Sequence, residues 1–202
     1  MIQQYERPFT PLDETNGTTT GLAGLDLVLN GFQNSEFIVV AARPSMGKTD
    51  TLNHFALSAG WNGHLPIIFI DYLQIIRPDG NPANQTQAIG QISADLKNMA
   101  KEFSCPVVVL SQLSRAVEQR QDKRPLMSDL RDSGNSEQDA DVVAFLYRAD
   151  YYHKESIPAD ELEIDIAKHR NGPTGKVVVT YIKETGKLQD MGSMGRQRSG
   201  NG

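Results

Sequence analysis

Apolar positions in this chain fall into two kinds of pattern, and their order along the sequence predicts an α/β architecture. Phe37-Ile38-Val39-Val40-Ala41-Ala42 is a short unbroken apolar run, the signature of a strand buried on both faces. After it, Leu52, Phe55, Ala56 and Ala59 recur at helical spacing, and Gly60 supplies a stop. Pro66–Ile70 predicts a second buried strand. Ile89, Ile92, Leu96, Met99, Ala100 and Phe103 then trace one face of a long helix. Val107–Leu110 and Val142–Tyr147 predict two more strands. Leu162, Ile164 and Ile166 alternate with acidic residues, which predicts a strand with one wet face or an edge position. Val177–Ile182 reads as the last strand, reached through the turn at Asn171-Gly172-Pro173. Strands and helices that alternate early and give way to successive strands predict a mainly parallel sheet with an antiparallel end.

The sharpest local signal lies where the first strand meets the first long helix. Ala42-Arg43-Pro44-Ser45-Met46-Gly47-Lys48-Thr49 follows the phosphate-loop pattern G-x-x-x-x-G-K-[ST], with Ala42 in place of the first glycine. In such a loop, backbone N–H groups and the following helix N-terminus converge on phosphate oxygens. Gly47 permits close backbone approach, Lys48 adds a point charge for the outer phosphates, and the Thr49 hydroxyl can ligate Mg²⁺. Asp71 closes the run Ile67-Ile68-Phe69-Ile70 and is the expected second metal group. An aspartate after an apolar strand is usually a turn residue; beside Lys48 and Thr49 the metal role gains weight. A nucleoside triphosphate with Mg²⁺ is therefore the expected ligand.

Composition narrows the partners. Of 202 residues, 39% are hydrophobic and 22% charged, ordinary values for one folded domain. No apolar run approaches the length of a membrane span, and the start lacks the pattern of a secretion signal. The single cysteine, Cys105, cannot form an internal disulfide, reads as core filler, and fits a reducing cytoplasm. A net charge of −5 excludes nucleic-acid binding by bulk positive charge, so any DNA contact must come from a local basic loop or from several subunits together. Residues 1–17 read as an arm or linker, and residues 191–202, which end in GSMGRQRSGNG, as a disordered tail.

Longer stretches carry a resemblance. AARPSMGKT, IDYLQII, VVVLSQLSRAVEQRQDKRPLMSDLRDSGNSEQDADVVAFLYR and IAKHRNGPTGKV are similar, in this order, to the motor domain of DnaB-family replicative helicases. TTGLAGLDLVLNGFQNSEFIVVAARPS resembles that family's entry into the domain. The resemblance implies a RecA-like P-loop NTPase fold over residues 18–190, with a mostly parallel central sheet flanked by helices. It implies an ATP-driven motor that translocates on single-stranded DNA and unwinds duplex during replication. Gln112 would sense the γ-phosphate. Lys168 and Arg170 would reach a neighbouring subunit's nucleotide, which requires a homo-oligomeric ring. Arg131, Asp132 and Gly134 would grip DNA phosphates. Without the resemblance, Lys168 and Arg170 read as two surface charges at a strand end, and Arg115, Arg120, Lys123 and Arg124 as a solvated basic loop.

The chain also departs from the pattern. Thr49 and Asp71 lie 22 positions apart, far fewer than in the family. The segment missing between them includes the strand ending in FSLEM, whose glutamate activates the attacking water. Asp50, Asp79 and Glu102 do not follow a strand in the right place. The expectation is nucleotide binding with slow hydrolysis, and a sheet left partly bare that Phe55, Trp61 or Phe69, or else a partner, patches. A second reading is an accessory protein that binds nucleotide without turnover and docks on a helicase ring. The family's amino-terminal assembly domain has no counterpart in this sequence, which counts against ring formation by this chain alone.

Overall fold

The computed structural model describes residues 16–61, 66–76, 85–133, 136–152 and 160–191. Seven strands form one sheet in the order β2-β3-β1-β4-β5-β6-β7. They are β1 (Phe37–Ala42), β2 (Ile68–Ile70), β3 (Val107–Gln112), β4 (Val142–Tyr147), β5 (Glu161–His169), β6 (Gly175–Ile182) and β7 (Lys187–Asp190). The first four run parallel, and β5, β6 and β7 continue the sheet antiparallel. The mainly parallel sheet with an antiparallel end is thus borne out.

Helices cover both faces, which is why β1 is apolar at every position. Ile38, Val40 and Ala42 pack into one core with residues of α1 (Ala23–Leu29) and α2 (Lys48–Trp61). Phe37, Val39 and Ala41 pack into the other with Ile89, Ile92, Leu96 and Ala100 of α3 (Gln85–Glu102). Two short α-helices also lie among the described residues, α4 (Ser136–Asp139) and α5 (Ala149–Tyr152). Among the described residues no helix is long and apolar enough to cross a membrane.

Several expectations shift. Phe103 falls one residue past α3 and is 61% exposed, so it leaves the apolar face assigned to it. β5 lies between β4 and β6 and is no edge; its acidic positions are half-buried, and Glu163 is paired with Arg124 and Lys176. β6 is not the last strand. β7 follows a turn in which Gly186 takes φ +66°, and only Leu188 of its four residues is buried, too little apolar signal to mark a strand. α1 is stabilised from afar: the Asp190 carboxylate accepts from the N–H groups of Ala23 and Gly24 at 2.9 and 3.2 Å, satisfying donors a helix start leaves open.

The shortened crossover leaves β2 at the edge of the sheet, with Ile68, Phe69 and Ile70 half-buried. Of the three residues expected to patch it, Phe55 belongs to the core, Phe69 packs against that core, and Trp61 stays 40% exposed. Cys105 is buried, as expected of core filler. Residues 1–15 of the expected arm, the tail from 192 onward, Asp79 and Gly134 lie outside the described residues.

Candidate nucleotide site

The phosphate-loop residues and Asp71 come from separate elements and meet in one cavity of about 650 Å³. Pro44, Ser45, Gly47, Lys48 and Thr49 line it from the loop that follows β1, Asp71 and Tyr72 from the end of β2, Gln112 from the end of β3, and Tyr181 from β6. The carboxyl ends of parallel strands form this rim, the usual place for a ligand in an open α/β sheet.

The loop's shape follows from two backbone positions. Ser45 and Gly47 take φ of +64° and +85°, the left-handed region that turns the chain back over the start of α2. A Cβ on Gly47 would sit 3.3 Å from Cζ of Tyr181, so the ring closes the space a side chain would need. Arg148 holds the turn from the other side: it donates to the Ser45 carbonyl at 3.2 Å, lies 4.8 Å over the Tyr181 ring and is paired with Asp150 at 2.9 Å.

Lys48 is half-buried at the first turn of α2 and donates to the carbonyls of Ala42 and Arg43 at 2.9 and 3.4 Å. Burial pushes its ammonium down to about 8, against the pull of Asp71, with Arg43 adding to the depression. A bound phosphate would raise that value again by favouring the charged form. The Thr49 hydroxyl donates to Asp71 Oδ2 at 3.0 Å. Two neighbouring ligands of an octahedral Mg²⁺ at its usual bond length lie about 2.9 Å apart, so the pair already has the separation the ion needs. Among the described residues no group of three His, Cys, Asp or Glu could hold a metal. One carboxylate, one hydroxyl and phosphate oxygens match the habit of Mg²⁺ in NTP sites. The residues present fit both nucleotide and ion.

Not every expected residue lines the cavity. Ala42 and Met46 are buried in the core. The Arg43 side chain turns away to Glu118 and the Leu113 carbonyl, at 2.9 and 2.8 Å, so only its backbone is available to the loop. Gln112 does line it. Gln74 fixes the chain there, accepting from the Gln112 N–H at 3.3 Å and donating to the Gln112 carbonyl at 3.2 Å. Gln74 and Arg148 lie inside stretches that resemble the family, and Tyr181 in the strand Val177–Ile182, but neither spacing nor motif gives any of the three a role at the site; Asp50 lines the cavity as well.

Lys168 and Arg170 lie elsewhere. The Arg170 N–H donates to the Asp141 carbonyl, and the Asp141 N–H in turn donates to the carbonyl of Phe37, the first residue of β1. The phosphate loop leaves the last residue of β1, roughly 16 Å further along the strand. Arg170 is paired with Asp141 at 3.1 Å, and Lys97 is paired with the same carboxylate at 2.5 Å. Lys168 donates to the carbonyls of Glu137 and Gln138 at 2.7 and 3.1 Å, and Arg170 to that of Gln138 at 3.1 Å. They are therefore more than loose surface charges.

The basic loop is largely committed internally. Arg120 holds Asp129 through two hydrogen bonds of 2.8 and 2.9 Å, and Arg124 holds Glu163 through two of 2.6 and 3.1 Å. Arg131 and Asp132 fall in the short helix Met127–Ser133, which precedes α4; their side chains and Gly134 are outside the described residues.

Known proteins resemble this chain over most of its length. The family described as DnaB-like helicase C terminal domain matches residues 17–64 and 56–190. The chain belongs to that family. It is 36% identical to the replicative DNA helicase DnaB of Geobacillus stearothermophilus over 88% of this chain and 57% of that protein. With the replicative DNA helicase DnaC of Bacillus subtilis (strain 168) it shares 35% identity over 95% of this chain and 61% of that protein. The chain thus spans about three fifths of the length of these curated relatives. The Geobacillus alignment runs over 260 positions, more than this chain's 202 residues, so the relative carries stretches with no counterpart here. Two solved structures superpose with a TM-score of 0.80 at 33% identity. One is an ATPase domain, 93% covered, and this chain is covered to 89%. The other, described as a DnaB-like replicative helicase and its interactions with primase, is 62% covered, against 88% of this chain. The RecA-like α/β fold expected of the family is the fold observed.

Proposed function

We propose that this chain is the ATP-binding motor domain of a DnaB-like replicative helicase, coupling nucleotide turnover to movement on single-stranded DNA. One observation carries the reading: the Thr49 hydroxyl and the Asp71 carboxylate, 22 positions apart, stand 3.0 Å from each other in a cavity also lined by Lys48 and Gln112. That is the arrangement a nucleoside triphosphate with Mg²⁺ requires.

In this reading the loop Ala42–Thr49 wraps the phosphates with its N–H groups, and Lys48 places its charge on the outer two. Thr49 and Asp71 hold the ion, whose chemistry when bound is to neutralise charge developing on the phosphate oxygens. Gln112, fixed by Gln74, faces the terminal phosphate. Lys168 and Arg170 serve a neighbouring copy, because they sit toward the opposite end of the sheet from this chain's own cavity. A cation delivered in that way is worth roughly 10³–10⁵ in rate in GTPases, and it calls for a ring of subunits or docking on an existing helicase ring. The segment containing Arg131 and Asp132, which lie in the short helix Met127–Ser133, and Gly134 takes DNA phosphates without reading sequence. The work belongs in a reducing cytoplasm, consistent with one buried thiol.

Hydrolysis is slow in this account. Among the described residues the cavity's carboxylates are Asp71, committed to the ion, and Asp50, on the side of β6. Losing a general base typically costs about 10²–10⁴ in rate. The test is ATP turnover with and without single-stranded DNA, measured beside the mass in solution. Slow, DNA-stimulated turnover by an oligomer is expected. Tight ATP binding by a monomer, with no turnover under any condition, would instead indicate the accessory role.

A further inference from the structure

Resting on the nucleotide reading of the cavity, the sheet order gives that cavity a direction. Asp71 and Gln112 end strands on one side of β1, whereas Tyr181 belongs to β6 on the other. With the ion at Thr49 and Asp71, the terminal phosphate lies toward β2 and β3. The nucleoside then lies toward Asp50 and Tyr181.

That end has an unusual polarity for a phosphate site. Asp50 sits in the first turn of α2, its Oδ2 accepting from the Tyr181 hydroxyl at 2.5 Å. The other oxygen, Oδ1, lies only 2.7 Å from where a Cβ on Gly186 would stand. The carboxylate is thus pinned between β6 and the β6–β7 turn. Burial, followed by the hydrogen bond to Asp50, pushes the phenol up to about 12, so Tyr181 keeps its proton and remains the donor. Arg148 over the ring and at the Ser45 carbonyl fixes Tyr181 in turn.

A carboxylate accepts hydrogen bonds at about four lone-pair positions and donates none, and Tyr181 occupies one of them. It repels phosphate oxygens. The groups of a nucleotide that donate near the triphosphate are the ribose hydroxyls, and carboxylates read such hydroxyls in dinucleotide folds. We propose that Asp50, held in place by Tyr181, accepts from a ribose hydroxyl and makes this site prefer ribonucleotides to deoxyribonucleotides. Asp50 is then a specificity-determining residue.

Equilibrium binding of MgATP, 2′-deoxyATP and 3′-deoxyATP to the full chain tests this. ATP should bind about tenfold more tightly than at least one deoxy analogue, the scale of one hydrogen bond to a charged group. Asp50→Ala should bind all three alike. Equal affinities in the native chain, which need no variant to measure, would overturn the assignment. So would an ATP preference that survives Asp50→Ala while its melting temperature falls, since that is the pattern of a mere tether between α2 and β6. Lys48→Ala keeps the two readings apart. Were ATP affinity unchanged in Lys48→Ala, the cavity would not be a triphosphate site at all. Lys48-dependent binding without hydroxyl preference removes the ribose assignment alone.

Discussion

The two ends of β1 carry comparable numbers of charged groups and use them in opposite ways. At the first residue, Asp141 is 3% exposed and fully engaged: it accepts from the Phe37 N–H at 2.8 Å and is paired with Lys97 and Arg170. At the last residue, Lys48, Thr49, Asp71 and Gln112 face a shared cavity, with Lys48 donating only to carbonyls of its own loop. Buried charges that cancel one another leave an orphan when one is removed, so the fold depends on each. Those left facing a cavity lower the cost of receiving a ligand that completes them. Substitutions at the two ends should therefore separate stability from binding.

The largest expected effect is at the engaged end. Asp141→Ala leaves half-buried Lys97 and the Phe37 N–H without their partner and should cost about 3–5 kcal/mol, read by urea denaturation. ATP affinity of the folded fraction should stay within about twofold of native. A large loss of affinity with unchanged stability would reverse the assignment of the two ends. Lys48→Ala, at the open end, should weaken ATP binding about a hundredfold and leave the urea midpoint nearly where it was, because the side chain serves only two loop carbonyls.

Gly47→Ala sharpens the contrast further. A methyl group there must tolerate φ +85° and meet the Tyr181 ring at 3.3 Å, costing about 1–2 kcal/mol and roughly tenfold in ATP affinity. The smallest effect is with pH. The free-state Lys48 ammonium titrates at about 8, and bound phosphate raises that value. Affinity should be full below about pH 8 and decline by up to tenfold per unit above it, with proton uptake on binding detectable by calorimetry in two buffers. A flat profile from about pH 7 to 9.5 would remove the perturbed lysine from the account.

How far the sequence revealed this molecule depended on the range of the forces involved. β1, α2, α3 and β4 were legible because periodicity is local and each buries a face or two. The phosphate loop was legible because its chemistry fixes residue types at fixed spacing, and Asp71 because it follows an apolar run. What stayed hidden is held together across the chain. Tyr181 and Asp50 are 131 positions apart, and Asp190 caps α1 from 167 positions away. Neither pair leaves a local pattern. α1 shows a partial local signal, with Leu22, Leu25 and Leu29 buried at helical spacing in the entry segment. The internal commitments of Arg120 and Arg124 were equally invisible, since a basic run reads the same whether its charges are solvated or paired.

ATP affinity measured by calorimetry with and without Mg²⁺, in the native chain and in Asp71→Ala, tests directly whether Thr49 and Asp71 hold the ion together. Native binding should strengthen at least about tenfold when the ion is added, and Asp71→Ala should lose most of that gain while retaining metal-free affinity. An undiminished Mg²⁺ effect in Asp71→Ala would mean that Thr49 and Asp71 do not hold the ion together.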